Sequence, residues 1–175
     1  FDMAEIAWNN AGDVLAYTGK PLTGTAYAVS TDSDIYLYNT TDGSTRNICK
    51  STEDARDEMP GYDKYPVWSP DDKMIAFRSM RRAGNESDKE RLFVCNLADG
   101  AMRDLTTKFD YNATNLVWEG NDTIYFVAPI TATHQICRVA LDGSDVEVLT
   151  SGDHDINSFT KAGSTIVAHM NTIMK

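Results

Sequence analysis

The 175 residues are 42% hydrophobic and 24% charged, enough chain and apolar content for one domain with a buried core. A formal charge of −10 with no basic stripe excludes a nucleic-acid-binding surface, and no apolar run reaches the roughly 20 residues of a membrane helix. Cys49, Cys95 and Cys137 form no C-x-x-C pair. The odd, sparse count is no disulfide framework, the missing pair excludes a zinc ribbon and a thioredoxin-type centre, and each cysteine sits among apolar neighbours as a small buried hydrophobe.

Self-similarity organises the chain. "WNNAGDVLAY" (Trp8 to Tyr17) aligns without gaps on "WSPDDKMIAF" (Trp68 to Phe77). "WEGNDTIYF" (Trp118 to Phe126) is the same unit with a turn one residue shorter, and "FTKAGSTIVA" (Phe159 to Ala168) is a gapless fourth copy. The leading aromatics recur at intervals of 60, 50 and 41 residues. The first three copies are each followed by a second half-unit: "DIYLYNTTDGSTRNIC", "RLFVCNLADGAMRDLT" and "QICRVALDGSDVEVLT". Each reads as a strand, an Asp-Gly turn that exploits the positive φ open to glycine, and a short strand. Four short strands, A to D, repeating every 40 to 60 residues, predict an all-β fold built of four-stranded antiparallel propeller blades.

The repeat units lie near residues 1–50, 62–107, 112–151 and 155–175, about three and a half blades of a larger ring. Three blades and a half do not close, so the chain is read as part of a longer protein. Ser69 and Pro70 suit the first two positions of a type I turn between strands A and B. Trp8, Trp68, Trp118 and Phe159 are expected as core anchors between blades. No segment shows helical periodicity, although "STEDARDEM" could form one or two turns capped by Ser51. In a blade of this kind the A–B and C–D turns share one face and the B–C and D–A loops the other. The B–C loops "TGKPLTGTAYAVSTDS", "RSMRRAGNESDKE" and "VAPITATH" read as long and varied, which places a partner or active site on their face.

The stretch "MPGYDKYPVWSPDDKMIAFRSMRRAGNESDKERLFVCNLADGAMRDLT" resembles the propeller of bacterial dipeptidyl and acylaminoacyl peptidases of the prolyl oligopeptidase family. "ESDKERL" and "FDYN" before Trp118 add to the match, whereas the blade-start motif is shared with TolB-type propellers. "PDD" stands where "PDG" would be usual. The resemblance implies a two-domain serine peptidase whose propeller caps an α/β-hydrolase domain, filters substrates by size and presents residues to the N-terminal end of a peptide. The catalytic domain, with its Ser-His-Asp triad, would lie outside this sequence.

Nothing here carries bond chemistry. G-x-S-x-G is absent, as are phosphate-loop and EF-hand spacings, and His134, His154 and His169 are dispersed. "HDIN" from His154 reads as part of a D–A loop. No catalytic residue, cofactor or metal is expected. A free peptide α-ammonium is well held by a carboxylate in a partly dry cleft. In "RRAGNESDKER", Glu86 is the first candidate for that contact and Asp88 the second, with Arg91 orienting a carboxylate or holding a substrate carbonyl. A charge-balanced, solvated loop is the alternative. Sequons stand at Asn39, Asn85, Asn112 and Asn121. The expected partners are a peptide substrate and the hydrolase domain of the same protein, with no nucleic acid and no membrane; the sequence leaves room for a homo-oligomer. A periplasmic or secreted location fits the resemblance. A TolB-like propeller that binds a protein partner is the competing reading.

Overall fold

The computed structural model describes residues 2–50 and 59–172 of the chain. Residues 51–58, and with them the turns expected in "STEDARDEM" up to Glu58, lie outside the described residues.

The first sheet contains β1 (Asp2–Trp8), β2 (Val14–Lys20), β3 (Asp34–Asn39) and β4 (Thr45–Asn47) in that order. The second contains β5 (Asp63–Trp68), β6 (Met74–Ser79), β7 (Arg91–Asn96) and β8 (Met102–Asp104), again in chain order. The third repeat supplies β9 (Thr114–Glu119), β10 (Thr123–Ile130), β11 (Thr133–Ala140) and the short β12 (Glu147–Val148). Its β11 pairs in parallel with β13 (His154–Ala162), which forms a hairpin with β14 (Thr165–Thr172). Three antiparallel blades and the A and B strands of a fourth are therefore present, as the repeat predicts.

The core lies between the sheets. Ile75 and Phe77 of β6 pack with Ala16, Ile35 and Leu37 of the first blade, while Ala76 packs with Leu116, Ile124 and Phe126 of the third. Successive residues of a strand point to opposite faces, and both faces of β6 are covered. That explains the unbroken apolar run "MIAF" in place of alternation. Tyr125 and Val127 of β10 meet Ile156 and Phe159 of the fourth unit in the same way.

The repeated aromatics stitch these layers together. Trp68 donates its indole N–H to Ala7 O at 3.0 Å, and Trp118 donates to Val67 O at 3.1 Å. Each indole thus reaches the residue just before the tryptophan of the preceding blade. Trp68 and Phe159 are buried, and Trp118 is partly buried against the second inter-blade core. Trp8 departs from the expectation. It is 56% exposed, whereas the indoles of Trp68 and Trp118 each donate to the preceding blade. Three residues before each tryptophan, Glu5, Tyr65 and Asn115 adopt positive φ (52°, 58° and 57°), a bulge that recurs with the repeat.

The A–B turns are linked in turn. Asp72 occupies the position usually held by glycine, at φ 58°. Its carboxylate accepts from the Asn10 and Ala11 backbone N–H groups at 2.8 and 2.9 Å and from Asn10 Nδ2 at 2.6 Å. "PDD" therefore exchanges backbone ease for an inter-blade clamp. The type I turn read from Ser69-Pro70 closes through Asp72 N to Ser69 O at 3.0 Å.

Three further expectations are corrected. The B–C connection of the first blade contains a short helix, α1 (Gly24–Val29), with no buried residue. The third B–C connection is not a long loop. β10 and β11 run in register to Ile130↔Thr133, leaving Thr131 and Ala132 as a two-residue turn at φ 49° and 62°. Both central residues take the left-handed conformation that a type I′ hairpin needs, although neither is glycine. "HDIN" belongs to β13, because the parallel pairing of His134 with Asp155 draws it into the sheet.

Replacing Asp72 by alanine should lower stability by about 1–2 kcal/mol, from the loss of exposed charge-assisted hydrogen bonds with the left-handed backbone retained. Replacing it by glycine should cost less, because the backbone strain goes with the clamp. Urea denaturation of the two variants beside the parent checks the order.

Candidate functional site

The B–C and D–A loops share one face, and on it the second blade carries the loop between β6 and β7, residues 80–90. The entry to this loop is fixed by backbone packing. Met80 N donates to Tyr62 O at 2.9 Å, and a Cβ on Gly61 would lie 2.0 Å from Met80 O. Only glycine fits there. Gly84 N donates to Thr31 Oγ1 at 2.9 Å, tying the loop to the B–C loop of the first blade.

Asp88 is the hub of the loop. It receives Arg82 Nε at 3.0–3.1 Å, a further contact from Arg82 Nη2, and Asn85 Nδ2 at 2.7 Å. The Arg82 guanidinium holds the Asp88 carboxyl below the usual carboxylate range. Glu86 sits two residues earlier on the same loop. It is exposed, and among the described residues its carboxylate enters no hydrogen bond or ion pair.

Arg91 is placed differently. It opens β7, stacks its guanidinium 4.8 Å from the Phe93 ring, lies 3.7 Å from Asp104 and donates to Ser79 Oγ at 3.4 Å. It lines a groove of about 1150 Å³ between the first two blades, together with Tyr36, Asn47, Arg81 and Phe93. Neither Glu86 nor Asp88 lines that groove. The structure therefore brings Glu86 and Asp88 together on one loop and directs Arg91 into the inter-blade groove.

The segments "ESDKERL" and "FDYN" form one contact. Lys89 Nζ donates to Thr106 O at 2.9 Å and to Phe109 O at 2.6 Å. Asn112 Oδ1 accepts from Glu90 N at 2.9 Å, and Glu90 O accepts from Ala113 N at 3.0 Å. The Glu90 side chain pairs with Arg78, which stacks on the Tyr65 ring at 4.3 Å. Both members of this pair are largely buried.

Sequence reasoning passed over a second constellation. Asp34, Cys49 and Asp63 are all buried at the junction of the first two blades, with their donor atoms within 4.8 Å of one another. Burial pushes the Asp63 carboxyl up to about 8, the nearby Ser79 hydroxyl and Cys49 thiol opposing this in part and Asp34 adding to it. Burial also raises the Cys49 thiol well above its usual range. The signal available in the sequence was an exchange within the repeat, where Cys49 stands at the position of Thr106 and Thr150.

The geometry defines a segment of β-propeller with one polar loop face. No family model matches the sequence. A dipeptidyl-peptidase 5 of Porphyromonas gingivalis is 39% identical over 165 residues, which is 94% of this chain and 23% of that protein. A TolB from Agrobacterium tumefaciens superposes with a TM-score of 0.71 at 21% identity, over 97% of this chain and 55% of that one. An acylaminoacyl peptidase of Pyrococcus horikoshii superposes with a TM-score of 0.67 at 16% identity, over 94% of this chain and 23% of that one. Over this span the chain is homologous to dipeptidyl-peptidase 5, and the solved structures it superposes on share its propeller fold. It spans about a quarter of the length of the curated relatives it matches.

Removing one partner of the Arg78–Glu90 pair should leave the other charge desolvated. Glu90→Ala is expected to cost about 3 kcal/mol, while Arg78→Met with Glu90→Leu recovers most of that loss. A double-mutant cycle in guanidinium chloride checks the coupling.

Proposed function

We propose that this chain is the non-catalytic propeller portion of a serine peptidase that releases dipeptides or acylated residues from the N-termini of short peptides. The observation that carries this reading is the 39% identity to a dipeptidyl-peptidase 5 across nearly the whole chain. The bond chemistry belongs to an α/β-hydrolase domain of the same protein. The propeller gates access by size, and its 80–90 loop contacts the substrate N-terminus. Within that loop Glu86 is the anchor for a free α-ammonium, because its carboxylate is exposed while Asp88 is already neutralised by Arg82. Asp88 shapes the loop that presents Glu86, and Arg91 acts from the groove side. A periplasmic or secreted location goes with this reading.

A TolB-like module that binds a protein partner is the second reading. It is favoured by the superposition on TolB over almost the entire chain.

The test uses the full-length protein. It is treated with a fluorophosphonate serine probe, then assayed with a free-amine dipeptide reporter and its N-acetylated twin. Labelling with turnover of the free-amine reporter is expected, and Glu86→Gln should raise its KM roughly tenfold with kcat nearly unchanged, the equivalent of one charge-assisted hydrogen bond. Turnover of the acetylated twin alone keeps the peptidase and removes the Glu86 anchor. Absence of labelling in folded protein removes the peptidase and leaves the binding module.

A further inference from the structure

The junctions between successive blades are built on one plan, and the first junction breaks it. In each of the first three blades the residue that ends the fourth-strand segment presents a side chain to a backbone N–H near the start of strand C. Thr106 Oγ1 accepts from Leu92 N at 3.0 Å, and Thr150 Oγ1 accepts from Ile136 N at 2.9 Å. In the first blade Cys49 Sγ takes this place and accepts from Ile35 N at 3.4 Å. The residue opening strand C is Asp34 in the first blade and Arg91 in the second, where it faces Asp104. Five residues before the tryptophan stands Asp63 in the second blade and Ala113 in the third. The second junction thus places an arginine, a threonine and an alanine where the first places two carboxylates and a thiol.

These three groups are closed off from solvent. Asp34 and Asp63 are 0% exposed and Cys49 is 3% exposed. Asp34 Oδ2 is held by Asn47 Nδ2 at 2.7 Å and by Lys50 Nζ at 3.1 Å. Asp63 differs. The Ser79 hydroxyl and the Cys49 thiol lie beside it, yet among the described residues no donor meets either of its carboxylate oxygens in hydrogen-bonding geometry. A buried carboxylate without donors is costly unless a cation or a proton compensates it. Lys50 is paired with Asp34.

We propose that Asp34, Cys49 and Asp63 form a zinc site that staples the first blade to the second. Two carboxylate oxygens and one thiolate suit Zn²⁺, whereas magnesium and calcium take oxygen ligands alone. Zinc bonds of about 2.0–2.3 Å in tetrahedral geometry set donor separations of roughly 3.3–3.8 Å. The three donors already lie within 4.8 Å, so side-chain adjustments of about 1 Å close the site, with the fourth position left for water. The outer contacts suit the role: Asn47 and Lys50 orient Asp34, and the Ile35 N–H points at the sulfur. Asp34 and Cys49 come from one blade and Asp63 from the next, so the ion cross-links the two blades beside the Ser33–Tyr62 bridge.

The test again uses the full-length protein. Protein equilibrated with Zn²⁺ and desalted is counted for zinc by mass spectrometry, beside Cys49→Thr and Asp63→Asn. Cys49→Thr installs the residue that the next two blades use in this position, so it retains the backbone hydrogen bond and the fold. The expected result is about one zinc per chain fewer in each variant than in the parent. Loading with Co²⁺ should add a thiolate-to-metal absorption in the near ultraviolet that Cys49→Thr abolishes. Equal zinc content in parent and Cys49→Thr, or cobalt loading without that absorption, overturns the proposal. If Asp63→Asn fails to fold, the Cys49→Thr comparison decides alone.

Discussion

Two-sided burial of the central strands is the constraint on which this structure depends. A blade is a four-stranded sheet too narrow to enclose a core of its own. Ile75, Phe77 and Ala76 lie side by side on one strand and serve two different cores, one toward each neighbouring sheet. Each fully buried side chain of this size contributes about 1.5–3 kcal/mol, and that gain exists only when the adjacent blade is present. The stability of each blade is thereby tied to that of its neighbours, as in other repeat architectures.

The polar contacts follow the same logic. The indoles of Trp68 and Trp118, the Asp72 carboxylate and the Glu90–Ala113 backbone bond all run from one blade to the next. They fix the rotation of each sheet against its neighbour at three heights: the end of strand A, the A–B turn and the loop face. The buried trio at the first junction belongs to this inter-blade layer and is distinct from the exposed loop that presents Glu86.

That loop is held from outside as well as from within. Lys89 and Glu90 are pinned by the segment that leads into the third blade, and Gly84 by the loop of the first. Three blades therefore position the carboxylates on its surface. A rigid scaffold presenting a polar loop is the usual arrangement for recognition. In the peptidase reading it lets the propeller contribute selectivity while the chemistry resides in another domain.

Much of the architecture was legible in the sequence because it is written in the repeat. The aromatic-turn-apolar unit and the Asp-Gly turns are local signals, and four copies made the strand order and blade type unambiguous. The exposure of Trp8 was not legible, because burial at that position depends on a neighbouring sheet and not on the residue. The tight turn at Thr131–Ala132 was hidden because its positive φ values are borne by residues that seldom take them. In the candidate loop, composition located Glu86 and Asp88, but only the fold showed Arg82 clasping Asp88 and Arg91 facing a different groove. Asp34, Cys49 and Asp63 are separated by 15 and 14 residues along the chain, and their convergence was decided by the parallel approach of Ser33 to Tyr62. Sequence periodicity fixes which faces are buried; which side chains meet across those faces is settled by the register between blades.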